Sequence, residues 1–236
     1  MRFTRRRKVA AWSVHAYTAL GLPLAWLCAR ALAEGDASGF FLWSAIACLI
    51  DATDGFLARR VGVKDVVPQF NGRRLDDIVD YLHFVVLPMA AIDALDLLPT
   101  NQSWVVVLPL VASGYGFAQE AAKTDDSFVG FPSYWNVLAL YLYVLDAPPR
   151  LVVASLVVLS AMVFVPIHYL YPSRARFLRA WTIGLGVVWT VMVFALALEP
   201  RAPWAWTVGA VSLFYPLYYT VASLIHHART VGVHDS

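Results

Sequence analysis

Residues 51–80 read DATDGFLARRVGVKDVVPQFNGRRLDDIVD and contain two pairs of aspartates. Asp51 and Asp54 lie three residues apart at the end of an apolar run, and Asp76 and Asp80 lie four residues apart at the start of another. Residues three or four apart share one face of a helix. The spacing therefore predicts two helices whose neighbouring ends bring four carboxylates together.

A group of four carboxylates calls for a bound cation. Like charges in a small volume repel one another, and a charged side chain within a membrane costs about 2.5 to 3.5 kcal/mol on insertion scales. Oxygen ligands without a nearby Cys or His favour Mg²⁺, Mn²⁺ or Ca²⁺ over zinc. Two ions about 3.5 to 4 Å apart suit displacement at phosphorus, because they stabilise both the attacking and the leaving oxygen. The sequence thus predicts a site for two divalent ions, Mn²⁺ or Mg²⁺.

The composition places these helices in a lipid bilayer. Of the 236 residues, 60% are hydrophobic and only 14% are charged, which would leave a soluble domain with large exposed apolar patches. Apolar stretches of about 17 to 25 residues can span about 30 Å of hydrocarbon. Eight apolar stretches recur, at 10–33, 39–58, 76–98, 103–122, 132–146, 150–171, 177–198 and 203–225. We therefore expect an all-α integral membrane protein with about eight transmembrane helices, forming a single domain over residues 1–236.

The basic residues predict how these helices are oriented. Most of the 18 Lys and Arg residues fall in the N-terminal segment and in the loops after the even-numbered stretches. The exceptions, on the opposite side, are Arg30, Arg150 and Arg201. Because cytoplasmic loops carry the excess of Lys and Arg, both termini are expected in the cytoplasm. The aspartates then lie at the cytoplasmic ends of the second and third helices.

Two glycines and an arginine accompany the aspartates. Glycine weakens a helix by about 1 kcal/mol relative to alanine, so Gly55 and Gly72 suggest that a ligand approaches the backbone closely. Arg59 would supply a fork of donors for phosphate. The alternatives are that Gly55 permits close helix packing, that Arg59 and Arg60 anchor the topology, and that the aspartates pair with neighbouring arginines. The residues alone leave both interpretations open.

The pattern Asp-x2-Asp-Gly-x2-Ala-Arg, followed by Gly-x3-Asp-x3-Asp, resembles the signature of the CDP-alcohol phosphatidyltransferases. Every fixed position of that signature is present between Asp51 and Asp80. The twelve-residue spacer from Arg60 to Asn71 is longer than in most of the family. The longer spacer, the chain length, the eight apolar stretches and the segment 130–136 are similar to the bacterial branch that uses choline as the acceptor.

The resemblance implies transfer of a phosphatidyl group from CDP-diacylglycerol to the hydroxyl of choline, with release of CMP. It implies that Asp51, Asp54 and Asp76 bind the metal ions. Asp80 would also border the metal site and act as the general base for the alcohol. By the same resemblance, the CDP-diacylglycerol site is lined by Gly55, Ala58, Gly72 and, at the diphosphate, Arg59. The resemblance also implies a homodimer in the bacterial inner membrane, with its active site facing the cytoplasm. The partners it implies are membrane lipids and not nucleic acid.

A choline site needs aromatic faces and a nearby carboxylate, because a quaternary ammonium offers no N–H donor. Aromatic and acidic residues gather around the end of the fourth apolar stretch and the start of the fifth. The candidates there are Tyr115, Glu120, Tyr134 and Trp135. The alternative is that Trp and Tyr gather at the membrane interface, as in membrane proteins generally.

Two other functions stay open. The acceptor could be serine, glycerol 3-phosphate or inositol, since only the spacer and the aromatic segment favour choline. Acidic residues in membrane helices could instead form a path for divalent cations. Against transport, the aspartates cluster at one predicted membrane face, and a cation path has no need of the Gly and Arg positions.

Overall fold

The computed structural model describes residues 3–119, 127–170 and 179–231, and these are mainly helical. The first six helices are α1 (Arg5–Ala19), α2 (Gly21–Ala33), α3 (Ala37–Val61), α4 (Val63–Val66), α5 (Gly72–Tyr81) and α6 (Leu87–Ala94). The next six are α7 (Val107–Ala118), α8 (Trp135–Val144), α9 (Pro149–Met162), α10 (Arg179–Leu198), α11 (Ala205–Ser212) and α12 (Phe214–Val231). A π-helical segment, Leu82–Val86, joins α5 to α6, and a 3₁₀ turn, Ser103–Val106, precedes α7. Two short strands, β1 (Ser127–Val129) and β2 (His168–Leu170), form an antiparallel pair.

Within the described residues, four helical segments are long and apolar enough to cross a membrane. They are Arg5–Ala33, Ala37–Val61, Arg179–Leu198 and Ala205–Ala228. Large apolar side chains on them face outward, among them Trp26 (66% exposed), Trp181 (69%) and Leu217 (65%). Such a surface is unfavourable in water and favourable in lipid. The protein is therefore an all-α, multi-pass membrane protein, as the composition predicts.

Helices occupy all eight predicted apolar stretches, but several helices are shorter than the stretch that contains them. The shorter apolar helices are Ser103–Ala118, Trp135–Val144 and Pro149–Met162. Trp135–Val144 has 10 residues, about 15 Å of helix, which is half the thickness of the hydrocarbon core. The eight membrane crossings and the cytoplasmic location of both termini therefore stay predictions.

The predicted stretch 150–171 leaves the α-helical conformation after Met162. Pro166 follows, and a proline lacks the backbone N–H and disfavours helix in the residue before it. The chain then forms β2, which pairs with β1 in the register Ser127↔Leu170, Phe128↔Tyr169 and Val129↔His168. The sequence patterns did not predict this strand pair.

Two apolar clusters hold the helices around the aspartates. The main core includes the large buried side chains of Phe40, Met89, Ile92, Trp135 and Leu156. A smaller cluster joins α1 to the segment after α3 and contains Ala11, Val14, Val63, Val66 and Val67. The smaller cluster fixes α1 against the end of α3, where the motif lies.

The spacer between the two aspartate pairs folds as a turn, a short helix and a helix cap. Gly62 caps the end of α3 in the left-handed backbone conformation (φ 69°) that favours glycine. The helix α4 follows and packs against α1. Asn71 then caps α5 by accepting a hydrogen bond from the backbone N–H of Arg74 (3.2 Å). These turns bring the start of α5 back beside the end of α3.

Candidate active site

Three of the four predicted carboxylates converge where α3 meets α5. Asp51 comes from α3, and Asp76 and Asp80 come from α5, one turn apart. One oxygen from each lies within 4.8 Å of the others. Asp80 is buried (7% exposed), and the other two are half-buried. The three carboxylates could therefore hold a divalent metal ion, and their oxygen donors suit Mg²⁺ or Mn²⁺.

Asp54 lies beside this converging group and is bonded to a residue of α1. Its Oδ2 accepts a hydrogen bond from Oγ1 of Thr18 (2.6 Å), and both side chains are buried. The length is that of a charge-assisted bond between a hydroxyl and a carboxylate. Sequence reasoning missed Thr18, because its partner is 36 residues away and no local spacing connects the two. The metal role of Asp54 stays a prediction.

A cavity of about 550 Å³ opens beside the carboxylates. The cavity is lined by all four residues that are predicted to bind CDP-diacylglycerol, namely Gly55, Ala58, Arg59 and Gly72. Asp54 and Asp76 lie on the same wall, and Lys64 and Arg73 add positive charge to that of Arg59. The cavity thus combines carboxylates that can bind metal with cations that attract phosphate.

The two glycines of the motif leave room for side chains on the cavity wall. A Cβ at Gly55 would lie 3.2 Å from Nη1 of Arg59, and a Cβ at Gly72 would lie 2.6 Å from Cε1 of His15. The sequence suggested that a ligand approaches both glycines. At Gly72 the structure shows that a histidine of α1 fills this space.

Helix α8 makes a polar contact with α3, one turn before Asp51. Nδ2 of Asn136 donates a hydrogen bond to Sγ of Cys48 (3.0 Å). Cys48 lies one turn before Asp51 and within electrostatic reach of Asp51 and Asp80. The aromatic segment 130–136 therefore ends in contact with α3, one turn before Asp51.

Three of the four predicted choline residues are described, and their surroundings differ. Trp135 is fully buried, and its Nε1 donates a hydrogen bond to Oγ of Ser113 (2.8 Å). Tyr115 is 53% exposed, with its ring centroid 5.2 Å from that of Phe164. Glu120 lies outside the described residues.

Tyr134, the third described candidate, belongs to a buried cluster of tyrosines. Its ring centroid lies 6.4 Å from that of Tyr219 on α12, and Tyr169 on β2 belongs to the same cluster. Sequence reasoning missed Tyr169 and Tyr219, since β2 and α12 are far from the motif along the chain. The faces of aromatic rings attract quaternary ammonium groups. The tyrosine cluster, consisting of Tyr134, Tyr169 and Tyr219, is therefore a further candidate for a choline headgroup.

Comparisons with known proteins bear on the family. No protein-family model matches the chain. It is 38% identical over 197 residues to a phosphatidylcholine synthase of Pseudomonas aeruginosa, covering 83% of each chain. The identity to the phosphatidylcholine synthase of Rhizobium meliloti is 37% over 216 residues, covering 89% of each chain. The identity to the phosphatidylcholine synthase of Bradyrhizobium diazoefficiens is 41% over 200 residues, covering 82% of this chain and 74% of the relative. Because the identity extends over most of both chains, this chain belongs to the phosphatidylcholine synthase family.

Proposed function

We propose that this protein transfers the phosphatidyl group of CDP-diacylglycerol to the hydroxyl of choline, giving phosphatidylcholine and CMP. The observation that carries the proposal is the convergence of Asp51, Asp76 and Asp80 beside a cavity lined by basic side chains. The name of the relatives agrees with this reaction. The motif also supports membership of the wider CDP-alcohol phosphatidyltransferase family.

The proposed metal ligands are the three converging aspartates, with Asp54 as a fourth carboxylate. Two divalent ions, Mn²⁺ or Mg²⁺, fit this donor set, because both metals accept oxygen ligands in octahedral geometry. When bound, the metal neutralises phosphate oxygens and stabilises the charge that develops on the leaving CMP. Without a cation, the carboxylates would repel the anionic diphosphate. We therefore expect CDP-diacylglycerol to bind only to the metal-loaded protein.

Arg59 is the proposed partner of the diphosphate. Its guanidinium lies on the cavity wall, over the backbone of Gly55. An arginine can bind two phosphate oxygens at once through parallel N–H donors. Lys64 and Arg73 add positive charge to the same wall. These three cations would hold the anionic part of the substrate next to the carboxylates.

Asp80 is the proposed general base. It lies one turn further along α5 than Asp76 and is buried, so it could meet an alcohol that enters beside the metal site. The choline oxygen would form a bond to the phosphorus that carries the diacylglycerol, while the bond from that phosphorus to the CMP oxygen breaks. The hydroxyl proton would pass to the carboxylate of Asp80, and CMP would leave as the anion.

We place the active site at the cytoplasmic face of the bacterial inner membrane. The exposed basic start of α1 supports this orientation, since Lys and Arg mark cytoplasmic segments. A cavity at that surface could receive a lipid substrate from the bilayer and choline from water. Eight crossings, two cytoplasmic termini, a single domain and a homodimer complete the proposal, and they are supported by the apolar stretches and the family resemblance.

For the choline headgroup we propose the aromatic residues around the start of α8. The tyrosine cluster offers ring faces, and the bond of Asn136 to Cys48, one turn before Asp51, supports a position of this segment near the carboxylates. The proposed choline site also includes the other residues predicted from the sequence, which are Tyr115, Glu120 and Trp135.

The acceptor is tested with purified protein in detergent, supplied with CDP-diacylglycerol, Mn²⁺ and one alcohol at a time. Choline, serine, inositol and glycerol 3-phosphate are compared by CMP release and by the mass of the lipid product. We expect CMP release with choline alone, together with phosphatidylcholine. Release with another alcohol instead would reject choline and keep the metal site. No release from folded protein, combined with Mn²⁺ uptake into vesicles, would favour cation transport.

A further inference from the structure

His15 on α1 is a buried histidine beside the substrate cavity. It is 7% exposed, and its Nε2 has no hydrogen-bond partner in the described part of the chain. A buried polar atom without a partner is uncommon and calls for an explanation, such as a ligand. The motif gives no role to His15, because α1 lies before it in the sequence.

Packing fixes the His15 ring at the wall of the cavity. The ring centroid lies 4.4 Å from that of Phe70 and 5.7 Å from that of Trp12. On the side of α5, the absence of a side chain at Gly72 leaves the space that the ring occupies. His15, Phe70 and Gly72 all line the cavity. A molecule bound in the cavity would therefore meet a histidine ring that is already in place.

The cavity wall carries two kinds of side chain, which suit two parts of one substrate. Charged groups come from Asp54, Arg59, Lys64, Arg73 and Asp76. Apolar surface comes from Val14, Ala58, Val63, Pro68 and Phe70. Charged groups with metal suit a diphosphate, whereas apolar surface suits the flat, uncharged ring of a nucleobase. Because the His15 ring packs at a tilt against Phe70, with an interplanar angle of 51°, and follows Val14 in α1, it belongs with the apolar surface.

An imidazole among apolar side chains can supply one specific polar contact. In its neutral form it has one N–H donor and one acceptor nitrogen. The edge of cytosine offers both acceptors and a donor, and ribose offers hydroxyls. We propose that His15 recognises the cytidine part of CDP-diacylglycerol through a hydrogen bond from its ring, an assignment that rests on the proposed function. Helix α1 then serves both halves of the substrate, since Thr18, on the same helix face, holds Asp54.

The test is the affinity for CMP of purified full-length protein in detergent, with Mn²⁺ present and choline absent, measured by calorimetry. His15→Leu removes both ring nitrogens, and His15→Gln restores a polar group near the position of Nε2. We expect His15→Leu to weaken CMP binding about tenfold, the value of one hydrogen bond. His15→Gln should recover most of the affinity.

Two CMP analogues locate the contact. UMP alters the edge of the base, and 2′-deoxy-CMP removes a ribose hydroxyl. The analogue that lacks the partner of His15 should bind wild-type and His15→Leu protein equally well, and either answer supports the proposal. The KM for choline should be unchanged, because the contact involves only the nucleoside.

Three results would overturn the assignment. His15→Leu could bind CMP as tightly as the wild type does. Leu and Gln could weaken binding equally and lower the melting temperature, which would show a packing role. The wild type could fail to bind CMP, which would reject the proposed function itself. An acceptor other than choline would leave the assignment of His15 intact, because this measurement contains no acceptor.

Discussion

Thr18 on α1 donates a hydrogen bond of 2.6 Å to Asp54 on α3, and both side chains are buried. A second bond, of 2.9 Å, connects the hydroxyls of Tyr17 and Thr53 in the same two helices. The first helix therefore orients a motif aspartate directly. The hydrogen bond therefore holds the Asp54 carboxylate at the wall of the cavity.

Replacing Thr18 should lower stability and activity together. Thr18→Ala leaves the buried carboxylate of Asp54 without its donor, at a cost of about 1 to 3 kcal/mol. We expect a lower melting temperature and a loss of about tenfold in kcat/KM, which corresponds to about 1.4 kcal/mol. Thr18→Ser keeps the hydroxyl and should retain most of the stability and most of the activity. If the alanine and serine variants behave alike, the hydrogen bond does not orient Asp54.

Gly72→Ala should distort the cavity beside the carboxylates through His15. The new Cβ would lie 2.6 Å from Cε1 of a ring packed between Phe70 and Trp12, so the ring must move. We expect the KM for CDP-diacylglycerol to rise severalfold. The matched control is Gly184→Ala in α10, whose new Cβ would meet no heavy atom of the described residues within 4 Å and should leave activity unchanged. Equal activity of the two variants would show that the position of His15 does not matter.

Arg59→Ala should weaken CDP-diacylglycerol binding specifically. Hydrogen bonds to charged groups are worth about 1.5 to 3 kcal/mol, so we expect the KM to rise about tenfold to a hundredfold. The neighbouring Arg60 is exposed and is not part of the described cavity wall, which makes Arg60→Ala the control. Steady-state kinetics at varied CDP-diacylglycerol concentration measures the KM of each variant and so distinguishes Arg59→Ala from Arg60→Ala. A larger effect at Arg60 would move the diphosphate site off this cavity.

Tyr134 provides the test of the tyrosine cluster. Cation–π attraction is worth about 0.5 to 2 kcal/mol, so Tyr134→Leu should raise the KM for choline by up to about thirtyfold. Tyr134→Phe keeps the ring face and should stay close to the wild type. The affinity for CMP, measured without choline, should not change in either variant. A normal KM for choline in Tyr134→Leu protein would place the headgroup elsewhere.

The sequence predicted the parts of this site that depend on local spacing. Helical periodicity was enough to place Asp76 and Asp80 on one face of α5 and to direct Asp51 toward them. Composition was enough for the fold class, since apolar helices with outward-facing Trp and Leu side chains need lipid. Both inferences use residues that are close together along the chain.

Most of the features that the sequence did not predict depend on distant contacts. Thr18 and His15 join the site through packing of α1 against α3 and α5, which periodicity cannot indicate. The π-helical segment Leu82–Val86 was also missed. It precedes Pro88, which lacks the N–H that an α-helical bond requires, and such irregular turns follow from this loss.

Choline-dependent CMP release by Asp80→Asn protein, measured beside Asp77→Asn, tests the central claim most directly. Asp77 is half-buried on the same helix and is not one of the three converging carboxylates. We predict that Asp80→Asn lowers kcat more than about a hundredfold, within the range for losing a general base, while Asp77→Asn stays near wild type. EDTA should abolish wild-type release, and Mn²⁺ should restore it. Wild-type rates in Asp80→Asn protein, or release that persists in EDTA, would contradict catalysis at this carboxylate site.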